Sequence, residues 1–136
     1  MIEKKHRVED ALEAVRSAQQ EGIVVGGGCA LLRAAEKICI TTNSEEQAYG
    51  GSIIREACRE PLRQMALNAN ESPDIIIDKI LSSSKDYGWN FRTDELLNLF
   101  KSGIIDPAKV TRSALQNAAS CAGTLITTNY GIIQTE

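Results

Sequence analysis

A single histidine, His6, and four cysteines without a Cys-x-x-Cys pair leave little from which to build a zinc site. Aromatics make up only 4% of the 136 residues, and prolines number three. Basic residues are outnumbered, 15 Lys and Arg against 18 Asp and Glu, for a net charge of −3. A nucleic-acid-binding stripe is therefore absent, and no nucleic-acid partner is expected. Apolar runs such as Ile75–Ile77 are far too short for a bilayer, so no membrane partner is expected either. Met1–Arg7 is charged and has no apolar core of the kind a signal peptide carries. The expected location is the cytoplasm, or an organelle matrix or stroma in a eukaryote. Gly-Lys-Ser/Thr after a glycine loop and Gly-x-Ser-x-Gly are both missing, which removes Walker-type and serine-hydrolase readings.

What is present is ordinary globular balance, 43% hydrophobic and 24% charged, in a length that suits one domain. Val8, Ala11, Leu12, Val15 and Ala18 recur at helical spacing and predict a helix over 2–21, closed by Gly22. Ile23–Val25 links it to Gly26-Gly27-Gly28 and a second helix from Cys29 to about Ile40. Thr41–Asn43 reads as a loop. Ser44 caps a third helix, with Gln47 completing a capping box. Pro61 restarts the chain as a fourth helix through Asn68. Ser72 and Pro73 open a fifth, to about Ser82. Tyr87–Phe91 suits a short strand or hairpin. Asp94–Ser102 reads as a short helix ending at Gly103. Asp106 is expected to cap a long helix whose apolar face is Val110, Ala114, Leu115, Ala118, Cys121, Ala122 and Leu125. Terminal extended pieces are expected at 126–128 and 130–134. The cysteines, all in apolar stretches, are expected to be buried free thiols. The fold class is all-α, mainly helical with small β pieces.

Four features have chemical potential, and each has a plain structural alternative. Gly26-Gly27-Gly28 before a helix N-terminus suits a phosphate or ribose, or simply a tight connection. Asp106 is either a helix cap or a carboxylate accepting from ribose hydroxyls. Asp10 is either solvated helix surface or a group that orients an attacking water. Asn90, between Trp89 and Phe91, is either a turn residue or a reader of an adenine edge.

Taken together, three stretches carry a resemblance. Lys4-Lys5-His6-Arg7-Val8-Glu9-Asp10-Ala11-Leu12, Glu21 through Gly26-Gly27-Gly28 to Arg33, and Gly103-Ile104-Ile105-Asp106-Pro107 through Gln116 stand in the order and at the separations seen in group I (GroEL-type, 60 kDa) chaperonins. The chain resembles the C-terminal half of their equatorial, nucleotide-binding domain over essentially its whole length.

That resemblance implies an incomplete equatorial helix bundle that binds ATP or ADP. By it, Gly26, Gly27 and Gly28 approach the nucleotide with backbone. Asn90, Phe91 and Arg92 lie at the adenine, the last two replacing the family's usual pair of alanines. Asp106 binds the ribose, Ile104 is a further nucleotide-binding position, and Asp10 is the hydrolytic carboxylate. The family's Gly-Asp-Gly-Thr-Thr phosphate loop and Mg²⁺-binding aspartate would belong to an N-terminal half that precedes Met1, so Mg²⁺ is expected only with that half. Apical and intermediate domains would be absent too, and with them the contacts to unfolded proteins and the co-chaperonin. Ribose and adenine contacts alone imply roughly millimolar affinity, near ~4 kcal/mol, and no turnover by this chain on its own. Expected partners are other chaperonin subunits or the missing equatorial half. The alternative reading is a non-enzymatic interaction module that docks on other subunits.

Overall fold

The structure is a computed structural model that describes residues 2–42 and 44–134. Of the expected 41–43 loop, Asn43 lies outside the described residues. The order is α1 (Ile2–Glu21), β1 (Ile23–Val25), α2 (Cys29–Glu36), α3 (Glu45–Ala57), α4 (Glu60–Asn68), α5 (Pro73–Leu81), β2 (Tyr87–Asn90), β3 (Glu95–Asn98), β4 (Ile105–Pro107) and α6 (Ala108–Ile126). The mainly helical class holds. Among the described residues no helix is long and apolar enough to cross a membrane.

One hydrophobic core sits between α2, α4, α5 and the β2–β3 hairpin. Its largest fully buried side chains are Cys29, Leu32, Leu62, Ile76, Ile80 and Leu99. The spacing of Cys29 and Leu32 on α2, and of Ile76, Ile77 and Ile80 on α5, puts each apolar set on one helix face. Pro61 stands in the first turn of α4, where its missing N–H costs nothing. Arg33 extends the buried stripe of α2 with a cation. Its Nη2 donates to the carbonyls of Ile80 at 2.8 Å, Ser84 at 2.8 Å and Tyr87 at 2.9 Å, tying the α5–β2 loop to α2.

The long helices α1 and α6 differ from this. Among the described residues neither contributes a buried one. They meet near the body, where Arg112 donates from Nε and Nη2 to the two carboxylate oxygens of Glu21 at 2.9 and 2.7 Å. Lys109 Nζ adds a short bond to Gln20. Along the two helices, Val8, Leu12, Val15, Val110, Leu125 and Ile126 are each at least half exposed.

Several expectations are corrected. The second helix stops at Glu36, with Lys37 as its C-cap, so Cys39 falls in an exposed coil. Cys121 is exposed as well, and only Cys29 and Cys58 are buried thiols. Ser44 accepts from the Gln47 N–H at 3.4 Å, but the Gln47 side chain meets Thr42 instead of returning to Ser44. Ser72 occupies the N-cap of α5 without a side-chain bond. The 126–134 stretch ends a helix and continues as coil, not strand. The largest change is at 94–102. Asp94 takes a left-handed φ of 54°, and Glu95–Asn98 pairs antiparallel with Tyr87–Asn90, Trp89 opposite Leu96. Leucines with good helix propensity are held extended because the aromatic, glycine-containing partner strand is there to pair with them. Gly88 makes this possible: a Cβ there would stand 2.5 Å from Leu99 Cδ1 and 2.6 Å from Cys29 Sγ.

Candidate nucleotide site

The glycine run has a packing reason at two of its three positions. The Gly26 N–H donates to the Ile104 carbonyl at 3.0 Å, and a Cβ on Gly26 would meet the Ile104–Ile105 backbone at 3.1–3.2 Å. Gly28, at φ 73°, stands against the backbone of Leu62, which a Cβ would approach to 3.0 Å. Gly27, at φ 65°, has the Trp89 carbonyl as the sole neighbour, 3.9 Å from where its Cβ would be. Its left-handed backbone suits glycine, and its surroundings are more open than those of Gly26 and Gly28. No side chain caps α2, so its N-terminal N–H groups are left to other partners.

Asp106 is not the helix cap. It lies in β4, opposite Val24 of β1, and Pro107 takes the N-cap of α6 without a side-chain bond. Main chain that is expected to turn into helix instead continues one residue as strand, because Ile105–Pro107 pairs with Ile23–Val25. Asp106 is half-buried, and among the described residues its carboxylate makes no hydrogen bond. Burial pushes its pKa above the ordinary 3.8. Its charge also reaches Cys29. That thiol is raised first by burial and, more weakly, by Asp106, while a Trp89 backbone contact and Arg33 act the other way. One neighbourhood at the start of α2 thus gathers the glycine loop, Asp106, Ile104 and the end of β2.

Asn90 ends β2 at this neighbourhood and is half-buried. Its Oδ1 accepts from the Arg92 backbone N–H at 3.0 Å, which orders the hairpin turn. Phe91 is packed against the hydrophobic core, while Arg92 is exposed. Asp10 is exposed on the first half of α1, one turn, about 6 Å along the axis, from Ala14. Ala14 itself lines a cleft of about 170 Å³ between α1 and β4 that also touches Asp106. Among the described residues no three His, Cys, Asp or Glu side chains lie close enough together to form a metal-ligand set. Another cleft, about 420 Å³, lies elsewhere, on the side of β1 lined by Val24, Ala30, Arg33, Lys37, Lys85 and Phe100. It is shallow and lacks the glycine loop, so the chemistry favours the smaller neighbourhood.

Sequence reasoning missed Arg33. A charged residue in register with Cys29 and Leu32, on a stripe otherwise bound for the core, was the available signal. Through Ile80, Ser84 and Tyr87 it sets where the hairpin begins, and so where Asn90 ends up relative to Gly27.

Comparison with known proteins agrees on the family. A model described as the TCP-1/cpn60 chaperonin family matches residues 1–136. Among solved structures, a crystal structure of a group III chaperonin in the open state superposes with a TM-score of 0.73 at 25% identity. The match covers 85% of this chain and 25% of that one, so the chain spans about a quarter of that chaperonin's length.

Proposed function

The chain belongs to the TCP-1/cpn60 chaperonin family, and from that premise we propose that it is the nucleoside-binding part of an equatorial domain, of the group I, GroEL-like kind. Within a complete subunit it supports ATP-driven protein folding and ring assembly. The supporting observation is Asp106: a half-buried carboxylate with no hydrogen-bond partner among the described residues, freed from capping by β4 and set beside a side-chain-free loop. A desolvated, unpaired carboxylate costs stability, and two ribose hydroxyls are donors that would satisfy it. In this reading Gly27 meets the sugar and α-phosphate side with backbone, Asn90 meets the base, and Gly26, Gly28 and Ile104 hold the loop in place. Bound ATP supplies the phosphate energy. Asp10, on α1, acts where a phosphate and Mg²⁺ are brought to it by the other equatorial half. Unfolded proteins and a co-chaperonin are reached through an apical domain that these residues do not include. The setting is the cytoplasm or an organelle matrix.

Calorimetric titration of the chain with ATP tests the reading. Binding at about millimolar Kd is expected, weakened about tenfold by Asp106→Asn or by removal of the ribose hydroxyls. Micromolar binding would sink the half-site argument, and no binding would sink the nucleotide reading.

A second reading is favoured by α1 and α6. Their exposed apolar stripes suit an interaction module that docks on other chaperonin subunits. Light scattering separates the two: a stable monomer at high concentration counts against the module.

A further inference from the structure

We propose that the outer edge of β1 takes up an extended peptide segment as a further strand, and that a basic rim beside that edge selects a segment carrying carboxylates. The site is the cleft of about 420 Å³ beside β1, and it is independent of the nucleotide reading.

Among the described residues the sheet of β1 and β4 has two strands, so each strand has one unpaired edge. The register fixes which backbone groups point there. Val24 lies opposite Asp106. On either side of that pair, the Ala108 N–H donates to the Gly22 carbonyl and the Gly26 N–H to the Ile104 carbonyl, both at 3.0 Å. In an antiparallel ladder, hydrogen-bonded pairs alternate with pairs that are not. Gly22, Val24 and Gly26 therefore turn toward β4, and Ile23 and Val25 turn their N–H and C=O groups outward. Those outward groups have no backbone partner among the described residues. On β4 the outward positions are Ile105 and Pro107. Proline has no N–H to offer, and α1 already stands beside Ile105, Asp106 and Pro107. The edge of β1 is the one left able to pair.

The cleft runs along that edge. Successive side chains of a strand point to opposite faces, yet Ile23, Val24 and Val25 all line it. The wall from α2 includes Ala30 and Ala34, one turn apart, whose small side chains leave room beside the strand. Its charged lining is Arg33, Lys37 and Lys85 against a single carboxylate, Asp86. Arg33 holds the carbonyls of Ile80, Ser84 and Tyr87 through Nη2, so it supplies fixed charge. Lys37 and Lys85 form no ion pair among the described residues. A local excess of positive charge thus flanks a free strand edge, in a chain whose net charge is −3. In strand addition, main-chain bonds supply affinity and side chains supply selection. Here a carboxylate on the incoming strand meets the lysines, and its apolar side chains meet Ala30, Ala34 and Phe100.

The probe is a capped hexapeptide of alternating valine and glutamate, added to the full ¹⁵N-labelled chain. Binding is expected to slow hydrogen exchange at the Ile23 and Val25 N–H groups by about tenfold or more, with a smaller change at Val24, which faces β4. Protection confined to other segments overturns the proposal. The counterpart with lysine in place of glutamate should bind about tenfold more weakly at low salt, with the gap narrowing as salt rises. Equal affinities overturn the acidic selection. N-methylation of alternate peptide residues removes the N–H groups along one edge while keeping the side chains. At least one of the two alternating patterns should lose binding by about tenfold, and if neither does, strand addition is overturned. Lys37→Glu combined with Lys85→Glu should reverse the preference toward the lysine peptide, and an unchanged preference counts against the rim. If that variant does not fold, the wild-type comparison of the two peptides decides. Protection at Ile23 and Val25 that is present without peptide and lost on dilution would make a second copy of the chain the occupant and overturn the peptide assignment. None of these outcomes bears on the nucleotide reading.

Discussion

The body formed by α2, α4, α5 and the β2–β3 hairpin buries its apolar side chains, whereas the paired α1 and α6 leave theirs in water. Both regions are written with regular helical periodicity. In the body, Leu32, Leu62 and Ile80 have no exposed surface. On the pair, Leu12 is 53% exposed and Leu125 75%. Periodicity therefore marks the face that wants cover, not the face that has found it. The candidate site lies where the two regions join, through β1 and β4. Its stiffness comes from the body, and its carboxylate comes from the strand that leads into α6.

The sharpest way to break this contrast is truncation on both sides of it. Ile80→Ala should cost ~2–5 kcal/mol in urea unfolding, because a fully buried side chain leaves a cavity. Leu12→Ala should change monomer stability by no more than about 0.5 kcal/mol. Equal losses would mean that α1 is packed in solution in a way the structure does not describe. Overpacking gives the next largest effect. Gly88→Ala puts a methyl within 2.5 Å of Leu99 and should cost about 1–3 kcal/mol by thermal melting. Gly123→Ala, on open α6, meets nothing within 4 Å and should be neutral or slightly stabilising.

Association probes the pair directly. Leu12→Lys with Leu125→Glu should shift light-scattering mass toward monomer while leaving the urea midpoint of the monomer near wild type. A mass that does not change would place any self-association elsewhere.

The smallest effects are pH-dependent and differ in sign between the regions. Burial raises the folded pKa of Asp106, so stability falls as pH rises through and above its ordinary 3.8. Asp106→Asn should therefore raise the melting temperature at pH 7, with the gain fading below about pH 3.8. Glu21 is lowered, first by its hydrogen bond from Arg112 and also by that charge and Lys109. Its contribution is present above the ordinary 4.5 and is lost as pH falls through the folded value. Arg112→Ala should therefore destabilise slightly at pH 7, less so in high salt, and not at all in strong acid. Melting curves from pH 3 to pH 7 check both.

Much of the helix framework was readable because caps and breakers are local. Gly22 at φ 81°, Ser44 before α3, Pro61 in the first turn of α4 and Pro73 at the start of α5 all act within a few residues. The hairpin's second strand was not readable. Glu95, Leu96, Leu97 and Leu99 suit a helix as well as a strand, and their partner lies across a turn that depends on Asp94 taking an unusual φ. The same is true of the site. Gly27 and Asn90 could be named as candidates, but nothing local says that the Trp89 carbonyl comes to Gly27.

By itself the sequence determined the mainly helical class, the positions of four helix starts or stops, and the residue types from which a nucleoside site could be built. Only the tertiary structure decided that Asp106 is a strand residue with free oxygens and not a helix cap. It alone turned the Asn90 oxygen into its own loop and left α1 and α6 uncovered. The reason is range. Caps, turns and periodic faces are set by contacts a few residues apart, whereas strand pairing, burial and an unsatisfied carboxylate depend on segments some eighty residues apart, such as Val24 and Asp106.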